Sequence, residues 1–576
     1  APKSCTVNLA TMTKSCKNCQ ANFIIEPDDV AFYERIAVSP PTFCPQCRFQ
    51  RRMSWRNGWH LFKNKDARDG KELFSFFPPE SKIPVYDRDF WFSDGWDPIA
   101  YGRDYDFSRP FFEQFGEFIR VVPEPAHSSL NLVNCRFCMN LADGKNCYLV
   151  RGGTMTEDSA YLVWDHGSKQ CMDGHMTDHC DLCYGSVNIE HCYKTHFSVD
   201  CDTCHNLVLS KDCVGCNDCL GCFGLRKKSY CIFNQQYTKD EYVKKLDAIN
   251  LGSYQGFLEV RDKAYAFWKT QPHKFMHGLK NVNVSGDYIY ESKNAKQCYR
   301  VRGTEDCKYT QNILEKSAKD CYDFSNFGEG AELCYETLIS GRGASNIKFC
   351  AQVYLNCKNV EYSIFCRNVS DCFACISVRD KQYCIFNKQY DKSSFDKLRT
   401  QIIAQMTNDK EYGEFFPANM SPFSYRVSEA YEFFPLTETE AKERGFAWYD
   451  IAHTEHKATL PSSRLPDHIK DASDDLLKEI IGCAHSTSSG QAPACDQECT
   501  GAFRIIPEEL TFLRRMHIPL PRLCPNCRLY ERFTLRNPPI FYHRQCAKCS
   551  ADIETSYAPD RPEKIYCETC YQQEVV

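Results

Sequence analysis

Cysteines set three residues apart are the first residues in this sequence whose type and spacing imply chemistry. Near one end stand Cys16/Cys19 and Cys44-Pro-Gln-Cys47; near the other stand the looser pair Cys495/Cys499 and Cys524-Pro-Asn-Cys527, followed by Cys546-Ala-Lys-Cys549 and Cys567-Glu-Thr-Cys570. Two such pairs place four thiolates ~2.3 Å from a tetrahedral Zn²⁺. The expectation is three Zn²⁺ per chain, on Cys16, Cys19, Cys44 and Cys47; on Cys495, Cys499, Cys524 and Cys527; and on Cys546, Cys549, Cys567 and Cys570. Four sulfur ligands leave no position for water, which marks a structural rather than a catalytic site.

The elements around these pairs are written twice. At an offset of 480, Cys19 falls on Cys499, Phe23 on Phe503, Pro27 on Pro507, Phe32 on Phe512, Cys44-Pro-Gln-Cys47-Arg48 on Cys524-Pro-Asn-Cys527-Arg528, and Arg52, Arg56 and Asn57 on Arg532, Arg536 and Asn537. In the N-terminal copy the last site is lost, because Asp66, Asp69, Asp87 and Phe90 stand where Cys546, Cys549, Cys567 and Cys570 would be. Matches such as Phe77 with Tyr557 and Tyr86 with Tyr566 predict that its hairpin survives with packing in place of zinc. The cysteine pair, the F-x-I element, the aromatic and acidic helix and P-x-x-C-P-x-C-R resemble the probable zinc-ribbon family of treble-clef type. The whole-chain order is similar to a group of bacterial cysteine-rich proteins with such ribbons at both ends. That resemblance implies short helices opening at Cys44-Pro45 and Cys524-Pro525, and it implies no activity.

Between the ribbons a second duplication matches Cys219, Cys222, Arg226 and Cys231-Ile-Phe-Asn234 to Cys372, Cys375, Arg379 and Cys384-Ile-Phe-Asn387 at an offset of 153. Inside the first copy a period of 21 links Cys171, Cys192 and Cys213. That is about one coil of a parallel β-helix, with cysteines stacked inside as small apolar residues. Extra metal or a reactive pair remains the other reading of these thiols. The fold class expected is therefore multidomain and mainly β: ribbon modules at both termini flank a duplicated cysteine-rich parallel β-helix, a solenoid, with capping helices. Residues 1–100 form the first ribbon module, 101–250 a capping helix and the first solenoid repeat, 251–410 the second repeat and its cap, 411–492 a connector, and 493–576 the double ribbon. A helix is expected near Asp475 to Gly482, and another at 101–122, covering the first repeat.

With 25% charged and 43% hydrophobic residues the composition is that of a soluble protein, and no apolar run reaches the ~18 residues of a membrane span. Thirty-eight cysteines in a long chain without an export signal point to reduced thiols and a cytoplasmic location. No P-loop, G-x-S-x-G or H-E-x-x-H occurs, so the expectation is a scaffold that is not an enzyme, and no small-molecule substrate is identified. The net charge of −5 gives no overall pull on nucleic acid. After each knuckle, however, Arg48, Arg52 and Arg56, and Arg528, Arg532 and Arg536, recur every four residues along one helical face. They suit phosphates of RNA or of a ribonucleoprotein such as the ribosome, with Trp55, Trp59, Phe533 and Tyr542 near enough to stack on bases. Equally, they suit the chain's own acids, such as Asp104, Asp106 or Glu508. A self-associating homo-oligomeric structural protein and a cysteine-based redox protein are the other functions the sequence leaves open.

Overall fold

From Leu130 to Ile232 the chain pairs with itself in parallel at a constant offset of 12: Met139 with Arg151, Arg151 with Val163, Val163 with His175, His175 with Val187, and so on to Asn217 with Ser229. This computed structural model describes residues 11–313, 322–323, 325, 334–341, 343–450, 456–485 and 498–575. A triplet generates the ladder. One residue pairs with its neighbours 12 away; the next is left-handed, as at Asn131, Asn134, Phe137, Asn140 and Asp143 with φ near 52° to 55°. The third points inward, and Cys135, Cys138, Cys147, Cys171, Cys180, Cys183 and Cys192 all occupy that place. Left-handed backbone disfavours most residues, and Asn, Asp and Gly tolerate it best, so their abundance follows from a corner at every third residue.

A rung of 12 residues has four inward side chains, most of them small, with an occasional Leu141, Leu162, Ile189 or Leu207 filling the space its neighbours leave. Cysteine and serine also satisfy the backbone that bends around them: Cys192 Sγ lies 3.3 Å from the Glu190 carbonyl and 3.5 Å from that of Cys201, and Ser186 Oγ repeats the pattern toward Tyr184 and Thr195 at 3.3 and 3.0 Å. The 21-residue period is therefore corrected to 12. Cys171, Cys192 and Cys213 all face inward because 21 is a multiple of three, but they lie on different sides of the ladder. The vertical stack is Cys180, Cys192, Cys204 and Cys216, with the Cys216 amide donating to Cys204 Sγ at 3.4 Å.

The second ladder runs from Gly278 to Ile385 with offsets of 11 at Gly278–Ile289, 12 at Gly286–Cys298, 14 at Lys308–Tyr322, 13 at Ser345–Lys358 and 12 at Ser370–Gln382. These unequal rungs are the insertions that shift the internal repeat. Each ladder ends in a short antiparallel return, Gln235–Gln236 or Lys388–Gln389, and then a helix, Lys239–Ala248 or Lys392–Asn408. Thr238 and Asp391 cap those helices through Glu241 N and Ser394 N. The helix expected to cover the first repeat, Phe111–Ile119, instead seats Phe111 on Tyr362, Phe373 and Phe386 at the far end of the second ladder. The helix expected near Asp475 is a 3-10 turn, Asp474–Lys478, followed by strand Ile481–Gly482. The ladders lie side by side and antiparallel: Tyr288 donates to Asp200 at 3.0 Å, and Arg302 reaches Glu190 at 2.7 Å. Among the described residues no helix is long and apolar enough to cross a membrane.

Candidate metal centres

Three groups of four cysteines converge among the described residues: Cys16, Cys19, Cys44 and Cys47; Cys483, Cys499, Cys524 and Cys527; and Cys546, Cys549, Cys567 and Cys570. A tetrahedral ion with ~2.3 Å bonds separates its sulfurs by about 3.8 Å. The thiols fit that edge, with Cys19–Cys44 at 3.8 Å, Cys483–Cys527 at 3.8 Å, Cys499–Cys524 at 4.0 Å and Cys549–Cys567 at 3.7 Å. Each group shares one further bond. The amide of Cys44, Cys524 or Cys567, which opens the second pair, donates to the first ligand, Cys16, Cys483 or Cys546, at 3.2, 3.2 and 3.3 Å. Such bonds favour the thiolate. Cys44 is lowered to about 5, chiefly by its hydrogen bond from Cys47; Cys546 falls to about 6, where burial opposes the charge but the amides of Cys549 and Cys567 outweigh it.

At the second site the expected ligand Cys495 lies outside the described residues; among the described residues it is Cys483 that joins Cys499, Cys524 and Cys527. Its place is dictated by a strand: Ile481 pairs with Phe503 and Gly482 with Ala502, just as Lys14 pairs with Phe23 and Ser15 with Asn22. Cys483 thus follows its strand as Cys16 does, and 15 residues separate it from Cys499 where Cys16 and Cys19 are separated by two. The signal was the short apolar run Ile480-Ile481 before a lone cysteine, hidden by that insertion.

In the N-terminal copy the lost site keeps its hairpin. Phe62 pairs with Ser75 in the register that joins Tyr542 to Thr555. Asp66 takes the part of the missing thiolate, accepting from the Asp87 amide at 3.2 Å. The Arg68 guanidinium lies 3.5 Å from Asp66, 2.9 Å from Asp69 and 4.2 Å from the Phe90 ring centroid. A side-chain cation thus sits among the replaced ligands.

The arginine face assigned to phosphates is consumed inside the molecule. Arg48, Arg52, Arg56, Arg528, Arg532 and Arg536 are all buried, none more than 8% exposed. Arg48 pairs with Asp323, Arg52 approaches Asp323 and Glu336 at 3.7 and 3.8 Å, and neighbouring Arg51 meets Glu336 at 2.7 Å. In the other module Arg528 pairs with Asp173 and, at 2.7 Å, with Glu509; Arg532 meets Asp173 at 3.1 Å. Arg56 and Arg536 end on Glu429 and Glu432 of one short helix, Glu429–Phe433. Trp55 and Trp59 are buried too, against Phe416 and Phe533. None of the acids first considered, Asp104, Asp106 or Glu508, takes part in these pairs. Through these arginines the N-terminal four-cysteine module docks on the second ladder and the C-terminal one on the first, so the halves clasp each other, and the C-terminal module also reaches the second ladder where Tyr299 donates to Asn537 and Ser556 to Asp287. Asp323 raises Arg48 and Asp173 raises Arg528 well above the usual range, although burial opposes the charge.

No protein-family model matches the chain, and no curated protein does. Among solved structures it is similar to one described as a putative acetyltransferase from Desulfovibrio desulfuricans G20, at 9% identity and a TM-score of 0.11, over 41% of this chain and 65% of that chain. The matched region thus spans less than two thirds of that protein. The expectation that this chain is not an enzyme is corrected on this point: the matched structure is described as an enzyme, so the exclusion does not stand. A likeness so slight puts no activity in its place.

Proposed function

We propose that the protein is a zinc-stapled scaffold: two β-solenoids, each closed at its last rung and clamped by a ribbon module, which assembles with further copies of itself through their open first rungs. The tetrahedral thiol geometry supports zinc as the metal of the four-cysteine groups. The observation that carries the assembly reading is where apolar side chains remain in water. Leu130 and Val133 on the first rung of one ladder are 38% and 61% exposed, and Leu279 and Val282 on the first rung of the other are 63% and 60% exposed. The last rungs, by contrast, are covered by returns and helices.

A second copy fits these rims because both carry the same residues in the same order, Leu-x-x-Val-Asn, at 130–134 and 279–283. Each rim also begins an asparagine stack. Asn134 donates to Asn146 and Asn283 to Asn294, both at 2.9 Å, and no rung precedes Asn134 or Asn283 within its ladder. An unpaired ladder edge with apolar side chains is a template for further pairing. The RNA reading no longer has its arginines, since buried guanidinium groups cannot reach a phosphate. Sedimentation velocity over a concentration series tests the proposal: the wild-type chain should associate reversibly, and Val133→Lys with Val282→Lys should abolish it. A wild type that stays monomeric throughout overturns the self-assembly reading.

A further inference from the structure

A fourth group of ligating side chains lies where the two ladders and the C-terminal ribbon meet. Asp200 and Asp212 occupy matching left-handed corners of adjacent rungs in the first ladder, with φ of 53° and 55°. Opposite them, the His277 ring lies stacked on Tyr288, with centroids 4.4 Å apart and planes within 2°. Its Nδ1 is 3.0 Å from Asp287 Oδ1, and Asp287 is held in turn by the amides of His277 and Tyr288 at 2.7 and 2.9 Å and by the Ser556 hydroxyl. The ring and the tautomer with the proton on Nδ1 are thereby set, and Nε2 is aimed at the two carboxylates: 3.6 Å from Asp212 Oδ1 and 3.8 Å from Asp200 Oδ2.

These last separations exceed a hydrogen bond. Asp200 Oδ1 accepts from Asn188 and Tyr288 at 2.7 and 3.0 Å, yet Oδ2 has no hydrogen-bond partner on a side chain only 4% exposed. A buried carboxylate oxygen left so is costly unless a cation meets it. Lys211, 3.7 Å from Oδ2, is the one nearby cation among the described residues besides His277 itself. Once an ion displaces the proton from Nε2, Asp200, Asp212 and Asp287 against Lys211 leave a local charge of about −2, which one divalent ion cancels. We propose that Asp200, Asp212 and His277 bind a divalent cation through two oxygens and one nitrogen, with Asp287 as the positioning residue behind the imidazole. The ligand atoms lie within 4.8 Å of one another. Bonds of ~2.0–2.2 Å call for separations of about 3.3–3.6 Å, which the imidazole nitrogen reaches with a closure of a few tenths of an ångström from 3.6 and 3.8 Å, the two carboxylates drawing together around the ion. Three protein ligands leave coordination positions for water, unlike the thiolate groups, and the imidazole–carboxylate set suits Zn²⁺ or Mn²⁺. A carboxylate behind a ligating histidine is the usual second layer of such sites.

Mn²⁺ is the better probe because it competes poorly for thiolates. Titrating Mn²⁺ into the full chain and following the free-ion EPR signal should show one saturable site. Zinc counted by elemental analysis should likewise reach one equivalent beyond the thiolate sites when Zn²⁺ is in excess. Asp212→Asn and, separately, Asp200→Asn should abolish this equivalent, and Asp287→Asn should weaken it about 10–100-fold. Cys549→Ser, which breaks a thiolate group, should leave Mn²⁺ binding intact, so failure of the thiolate reading is told apart from failure of this one. Thermal melts identify any variant that does not fold, and either aspartate then serves for the other. If neither ion binds the wild type at this equivalent, or the folded aspartate variants bind as it does, the proposal is overturned and the cluster is an imidazolium held by three carboxylates.

Discussion

Arg528 lies buried beside both Asp173 and Glu509, and removing one partner of such a buried group leaves charge without compensation. Arg528→Gln should therefore destabilise the docked C-terminal ribbon by about 3–5 kcal/mol, read as a lower urea midpoint, with Arg48→Gln doing the same to the N-terminal ribbon through Asp323. An exposed phosphate-binding arginine would change stability far less. The reassigned ligand gives a second residue-scale test. If the four-cysteine groups hold zinc as proposed, Cys483→Ser should remove one equivalent per chain by elemental analysis, because Cys483 is one of the four thiols that converge at that site. Arg68 offers a third: where it lies between Asp66, Asp69 and Phe90, Arg68→Ala should lower the melting temperature of the N-terminal module without changing its zinc content.

At the scale of the element, the ladder rests on a cross-section of four inward side chains per rung. Cys204 is fully buried between Cys192 and Cys216 in the vertical stack, and its thiol lies 3.2 Å from the Asp202 carbonyl and 3.4 Å from that of Cys213. Serine preserves both the size and the donor, so Cys204→Ser should cost little. Cys204→Leu adds volume where no neighbouring rung can move aside, and should cost about 1–3 kcal/mol in denaturant unfolding. Equal losses for both substitutions would show that the sulfur itself, rather than its size and its donor, is needed. Gly153 is constrained in a different way. Its φ is 148°, and an added Cβ would lie 2.1 Å from the Asp165 carbonyl oxygen of the next rung, so no side chain fits while the rungs stay paired.

For the whole molecule, the reciprocal clasp couples metal to architecture. The helices bearing Arg48 and Arg52, and Arg528 and Arg532, Pro45–Met53 and Pro525–Phe533, both start on a ligand, with Cys44 and Cys524 as their N-caps, and Arg56 and Arg536 lie just past their ends. Losing a structural zinc removes about 10–16 kcal/mol from a small module, far more than one docked ion pair supplies. Chelation should release both ends first, making them sensitive to limited proteolysis and moving the emission of Trp55 and Trp59 to the red as they meet water. The ladders, held by their own backbone pairing, should persist as a resistant fragment. Simultaneous loss of ends and ladders would show that the ladder thiols also hold metal.

The thiolate groups were legible where their spacing is local, two cysteines of a knuckle lying close in sequence, and two of the three groups converge as the spacing implies. The surviving hairpin of the lost site was legible through residues matched at one offset. The ladder period was obscured because inward residues recur every third position, so 9, 12 and 21 all look periodic along the chain; only backbone pairing selects 12. Cys483 escaped notice because an insertion parts it from the ligand it joins. The arginines were decided by tertiary structure alone. Their pattern on a helix is the same whether the face meets phosphate or protein, and their partners Asp173, Asp323 and Glu336 lie hundreds of residues away, where only the docking of each ribbon on the opposite ladder brings charge to charge.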